Sequence, residues 1–138
     1  MLVVLGAAAS QARELVPEWA RVVVAEDWSN GQSASLTAGL DALEATAADG
    51  VLVTLVDLPW QGVDEALAVL SLADAEAPAA SLARLTVRGT PAHPVLIGRD
   101  HWAPLRDTLQ GDSGARDYLA SASVATVEPP TRESRAFD

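Results

Sequence analysis

The stretch 51-VLVTLVDLPW-60 decides how this chain reads. Its apolar run does not alternate with polar residues, which is the pattern of a strand covered on both faces. The run ends on a carboxylate, Asp57, and Pro59 cannot extend a β-ladder beyond it. In open parallel sheets ligands bind outside the carboxyl ends of the strands, so an acid at such an end faces the ligand. A carboxylate fixed there can bind Mg²⁺, a hard cation that takes oxygen ligands and bridges to substrate phosphates. The plainer role for Asp57 is to cap the turn, or a helix that begins near Gly62.

Working outward, 2-LVVLG-6 and 22-VVVAED-27 have the same unbroken apolar character and read as buried strands. Between the strands lie helical segments. Leu36, Leu40, Leu43 and Ala47 form a stripe within 33–48, and Val63, Leu67 and Leu70 form one within 62–73. Strand, helix, strand, helix is the signature of a parallel α/β sheet. The second half differs. Ala83, Leu85 and Val87 alternate with Arg84, Thr86 and Arg88, followed by the turn-rich 89-GTPAHP-94 and the apolar 95-VLIG-98, a β-hairpin or irregular ribbon. Trp102, Leu105 and Leu109 mark a helix, Ser113 is a candidate N-cap for another, and 123-SVATVE-128 reads as a last strand. The expected fold is α/β, a Rossmann-like three-layer sandwich with a mostly parallel sheet and a hairpin or ribbon insertion, in one domain spanning 1–138.

The bulk numbers narrow the function. With 138 residues, 49% of them hydrophobic, the chain can bury a core of its own. Nineteen acidic against nine basic side chains give a net charge of −10, which disfavours nucleic acid and anionic membranes as partners. The absence of cysteine removes disulfides, thiolate metal sites and a thiol nucleophile. No run is long enough to span a bilayer, and MLVVLGAAAS lacks the basic start of a signal peptide, so a cytoplasmic location is expected. All nine basic residues are arginine. Chemistry that needs a lysine cannot come from these residues alone.

Several segments, in order, resemble the MobA-like nucleotidyltransferases, and more closely their molybdenum cofactor cytidylyltransferase branch. LVTLVDLP resembles the family's strand ending in Gly-Asp-Gln-Pro, with Val56 and Leu58 in place of the Gly and Gln. Residues 2-LVVLGA-7 resemble its second strand, and 26-EDWSNGQSASLTAGL-40 its Pro-Asp-Trp, acid-Gly, Ser-Ser-Leu, Gly-Leu segment. Residues 89-GTPAHPVLIG-98 resemble its Gly-His-Pro-Val-Leu segment, and 111-GDSGAR-116 its Gly-Asp-x-Gly-Ala-Arg segment. The family's phosphate-cradling loop, Leu-Ala-Ala-Gly-x-x-x-Arg-Met-Gly with Pro-Lys after it, has no counterpart in these residues.

The resemblance implies a nucleotide-diphospho-sugar-transferase-like fold that transfers a cytidylyl, or guanylyl, group from a nucleoside triphosphate to a pterin phosphate, releasing pyrophosphate. It implies Mg²⁺ on Asp57, with Asp138, in the closing AFD, as a second ligand. It implies nucleotide contacts from Gly31, Ser33 and Ser35 and substrate contacts from His93, Asp112 and Arg116. Each residue has a plainer role beside this one. Ser33 or Asn30 can cap a helix, His93 can be an ordinary loop histidine, and Asp112 or Ser113 can cap a helix with Arg116 paired to Asp112 at i, i+4. The alternative for the whole chain is a non-catalytic remnant or accessory domain that stabilises a partner. In the family another strand lies between those corresponding to 2-LVVL-5 and 51-VLVTL-55. Its absence leads one to expect an upstream segment or a homodimer that completes the sheet, rather than direct pairing of Val3 with Val53.

Overall fold

Leu2–Leu5 (β1) and Arg21–Val24 (β2) lie parallel, with Val3 opposite Val22 and Leu5 opposite Val24. In this computed structural model, which describes residues 1–59 and 61–130, the chain divides into two compact units. The first is Met1–Ala47 with Trp102–Ala122; the second is Ala48–His101 with the residues from Ser123 on.

In the first unit, Ala9–Arg13 (α1) leads from β1 towards β2, and Gln32–Leu43 (α2) follows β2. Helix α2 approaches β1 closely at Gly39, where an added Cβ would stand 3.2 Å from Val4 Cγ2. Leu40, one residue on, is buried. The helix is shorter than its apolar stripe predicted and ends at Leu43. Trp102–Thr108 (α4) buries Trp102 and Leu105 completely enough to act as the apolar anchors of this unit, each such burial contributing roughly 1.5–3 kcal/mol. An ion-paired Arg106 ties α4 to α2 through Asp41, at 2.6 Å, and Glu44. Arg116–Ser121 (α5) begins two residues later than the Ser113 cap predicted, because Gly114 takes a left-handed φ of 53°.

In the second unit, Gly50–Val53 (β3), Leu82–Val87 (β4), Thr90–Gly98 (β5) and Ala125–Val127 (β6) form one sheet in the order β3-β5-β4-β6. The predicted hairpin is present and stands at the centre of this sheet. Strand β5 runs antiparallel to both β3 and β4, and β6 joins β4 in parallel. A two-residue turn links β4 to β5, with Arg88 at φ 52° and Gly89 at φ 76°, the positive-φ pair that matches strand twist. Glu128 clamps the turn, accepting from the N–H groups of Arg88 and Gly89 at 3.0 Å each and from Thr86 Oγ1 at 3.0 Å. Those backbone donors hold its carboxyl below the usual carboxylate range.

Two expectations fail locally. The strand in 51–57 ends at Val53, and Val56 is 99% exposed, so Asp57 sits in a turn four residues beyond β3. Val63–Leu70 (α3) turns the predicted stripe outward: Val63, Leu67 and Leu70 are exposed, and Glu65 and Val69 are the buried residues. Glu65 is drawn in because its Oε2 accepts from Gly62 N–H at 2.9 Å, closing the first turn of α3. Val69 then packs with Ala83, Leu85 and Leu96, bordered by Leu52, Leu72, Ala73, Ala92 and Val127.

Val3 pairs with Val22, and Val53 with Val95. Among the described residues, the ladder partner of β1 is β2 and that of β3 is β5, and β1 and β3 are each paired on one side only.

Candidate functional site

The predicted contact residues fall into two clusters, one in each unit. The first surrounds the start of α2. Gly31 has φ 109° and ψ −176°, a region that is essentially glycine's alone. An added Cβ would lie 2.5 Å from Asp112 Oδ1 and 2.5 Å from the carbonyl carbon and oxygen of Gly111. The backbone of 111–112 therefore rests on Gly31, and it takes up the first helical donors. Gln32 N–H donates to Asp112 Oδ1 at 3.3 Å, and Ser33 N–H to Gly111 O at 3.0 Å. Neither Asn30 nor Ser33 caps α2 through its side chain. The cap comes instead from a segment 80 residues away.

Ser33 is buried, and its Oγ has no hydrogen-bond partner. Thr37 Oγ1 donates to Ser33 O at 2.8 Å, and Ser35 is half-buried. Beside them lies a cavity of about 340 Å³ whose polar wall includes Glu26, Asp27, Asn30, Ser33, Thr37 and Asp41. Carboxylates and hydroxyls make this wall rich in acceptors, so it suits groups that bring N–H or O–H donors. Arg116 does not reach Asp112. Its Nε lies 3.6 Å from Asp117 Oδ1, with both side chains largely exposed.

The second cluster surrounds His93 on β5. Opposite this strand Arg84 faces Val95 and Thr86 faces Pro91, so one residue of β4 spans three of β5, 92 to 94. Such an irregularity breaks the ladder and frees carbonyls, and proline at 91 and 94 supplies no donor. Side chains fill the gap. Arg84 Nε and Nη2 donate to Ala92 O at 3.4 and 3.2 Å. Gln61 Nε2 donates to His93 O at 2.7 Å, beyond the point where β3 has ended. Gln61 Oε1 is buried with no partner.

The His93 ring is half-buried, and its pKa is pushed below the ordinary 6.5. Burial is the main cause, the Arg84 charge adds to it, and Asp57 opposes it. Asp57 itself is exposed and carries no hydrogen bond or ion pair among the described residues. The 51–58 and 89–98 segments thus meet, through the charges of Asp57 and His93. Arg84 and Gln61 were not singled out from the sequence. Arg84 reads there as the polar side of an alternating strand, and only the proline-dense 89-GTPAHP-94 hinted at unpaired carbonyls nearby.

Among the described residues there is no group of three or more His, Asp or Glu side chains that could hold a metal by themselves. Asp138 and Trp60 lie outside the described residues.

A family model for the MobA-like NTP transferase domain matches residues 1–127. The chain belongs to this family. It is 31% identical over 101 residues to the purine catabolism protein PucB of Bacillus subtilis (strain 168), a match that covers 73% of this chain and 46% of PucB. The chain therefore spans less than half the length of that relative. Among solved structures it resembles Rv0371c of Mycobacterium tuberculosis H37Rv, with a TM-score of 0.74 at 24% identity over 92% of this chain and 64% of that one. It likewise resembles Rv0371c in complex with manganese, at TM-score 0.73, 24% identity and coverage of 92% and 65%. A homologue of Rv0371c from Mycobacterium sp. strain JC1 gives TM-score 0.73 at 21% identity, covering 92% of this chain and 63% of that one. These likenesses establish a nucleotide-diphospho-sugar-transferase-like α/β fold.

Proposed function

We propose that this domain serves nucleotidyl transfer of the molybdenum cofactor type: a cytidylyl group passes from CTP to a pterin phosphate, with release of pyrophosphate. The observation that carries the reading is the meeting of the family-like segments in pairs. Gly31 packs on Gly111 and Asp112 in one unit, and His93 feels Asp57 in the other. In this reading Gly31, Ser33 and Ser35 form the nucleotide side. The acceptor-rich wall beside Ser33 favours a base that presents an amino group, as cytosine, adenine and guanine do and uracil does not; the choice of cytosine rests on the family resemblance. Asp112 acts by fixing Gly31 and the start of α2, and Arg116, largely exposed beside Asp117, is the candidate to meet substrate charge. His93 faces the acceptor.

Asp57 suits Mg²⁺ held chiefly by water and substrate phosphates, the usual state of that ion, and does not suit a cation caged by protein alone. When bound, the ion would neutralise phosphate charge. The manganese complex of Rv0371c supports a divalent ion in this fold. Asp138 remains the candidate for a second ligand. An acceptor phosphate is already anionic and needs no general base, so the residues' task is to hold and orient substrate groups rather than to move a proton.

Titration calorimetry with CTP, GTP and ATP in Mg²⁺ tests the reading. CTP should bind best, more weakly to Asp57→Ala. The 138 residues contain no lysine and no phosphate-cradling loop, and preorganised phosphate contacts supply most of the catalysis in such transfers. The chain alone should therefore release no measurable pyrophosphate from CTP. Release that disappears in Asp57→Ala would overturn that expectation. Equal, negligible binding of all three nucleotides would favour the accessory-domain alternative.

A further inference from the structure

Arg84 is half-buried, yet its one hydrogen-bonding partner among the described residues is a backbone carbonyl, Ala92 O. Arg106, by contrast, holds two carboxylates. No carboxylate pairs with Arg84 among the described residues. A guanidinium has five N–H donors, and the carbonyl takes up two of them. Burial destabilises the charge, and no counter-ion among the described residues offsets this. Bridging a carbonyl needs only a neutral donor, so the bulge alone does not account for a cation here. One residue along β5, Gln61 is anchored by its amide N–H₂ to His93 O, which leaves Oε1 as a buried acceptor with no donor.

We propose that Arg84 binds an oxyanion, a phosphate or carboxylate group of a small molecule, beside His93, and that the same molecule offers an N–H or O–H donor to Gln61 Oε1. The planar fork of arginine matches such an anion through two parallel bonds. Assigning the anion to the acceptor substrate rests on the function proposed above; the anion site itself does not.

The test follows the His93 ring resonances of the full chain at fixed, near-neutral pH during titration with inorganic phosphate and, separately, acetate. One of the two should produce a saturable shift at His93 while His101, held near Ala80 O, stays still. Arg84→Gln should weaken that binding about tenfold or more, and Arg84→Lys, which keeps charge but loses the fork, by less. Arg84→Lys carries the test alone if Arg84→Gln fails to fold. No saturable shift with either anion, or equal affinity in the wild type and the Arg84 variants, overturns the site. A parallel CTP titration separates the two ideas. Arg84-dependent phosphate or acetate binding without CTP binding leaves the anion site standing and removes the transferase reading. CTP binding with an unmoved His93 does the reverse.

Discussion

The cluster at the start of α2 and the cluster around His93 differ in what their polar groups already do. At α2, the helical N–H groups of Gln32 and Ser33, the Asp112 carboxylate and the Gly111 carbonyl satisfy one another, and Ser33 Oγ is left over as a buried hydroxyl. Around His93, Arg84, Gln61 and Asp57 all retain capacity that no neighbour among the described residues uses. Both clusters come from segments with the same family resemblance. The difference teaches that a residue in a binding motif can act by building the site's frame or by touching the ligand, and hydrogen-bond accounting separates the two. Substitution of Gly31 or Asp112 should therefore cost stability, and substitution around His93 should cost binding.

The largest effect is expected at Gly31. Gly31→Ala places a Cβ against Gly111 and Asp112 in a backbone region closed to other residues, so a loss of roughly 3 kcal/mol or more is expected. Urea melts followed by circular dichroism would check it. A variant as stable as the wild type would mean that the contact with 111–112 does not form. Asp112→Ala comes next. It removes an exposed cap acceptor at 3.3 Å, and about 0.5–1 kcal/mol should be lost in the same melts. If Asp112 instead served only substrate, stability would not change and nucleotide or acceptor binding would fall.

Arg84→Met sharpens the contrast from the other side. It removes a partly desolvated charge that has no counter-ion among the described residues and keeps the apolar stem, so stability should change by less than about 1 kcal/mol in either direction. The His93 pKa should rise, because the Arg84 charge helps to depress it. Histidine titration by NMR reads this directly. A large loss of stability would reassign Arg84 to the frame.

These assignments also show what could be read from residues alone. The hairpin was legible because Gly89 and the alternation of 83–88 are local signals, and the strand core 51–53 because it is unbroken and apolar. The strand's end was not legible. Thr54 and Val56 have strand-like side chains, but the ladder to β5 stops at Val53 opposite Val95, and a ladder's length depends on its partner. The face of α3 was misread for a similar reason. Val63, Leu67 and Leu70 make the better stripe, but the Glu65 contact to Gly62 and the fit of Val69 against Ala83 and Leu96 set the rotation. Gly31 was legible only through the family resemblance. Arg84 and Gln61 were not, since their roles arise from a three-against-one irregularity that no sequence period encodes.

The smallest effect concerns pH, and it too divides the regions. The folded state lowers the His93 pKa below 6.5, so between that folded value and 6.5 the unfolded chain binds more protons. Stability from this group is complete above pH 6.5 and declines as the pH falls through 6.5 towards the folded pKa. Glu128 is also lowered, from 4.5, by the turn donors of Arg88 and Gly89, so its contribution is complete above 4.5 and is lost as the pH falls through its folded pKa. Acidification should therefore weaken the chain in two steps, histidine first. His93→Asn should abolish the upper step and leave the lower one, and Glu128→Gln the reverse. Melts at closely spaced pH values would show it. An upper step that persists in His93→Asn would place the titration on another group and remove His93 from the partly desolvated setting that makes its neighbourhood a candidate site.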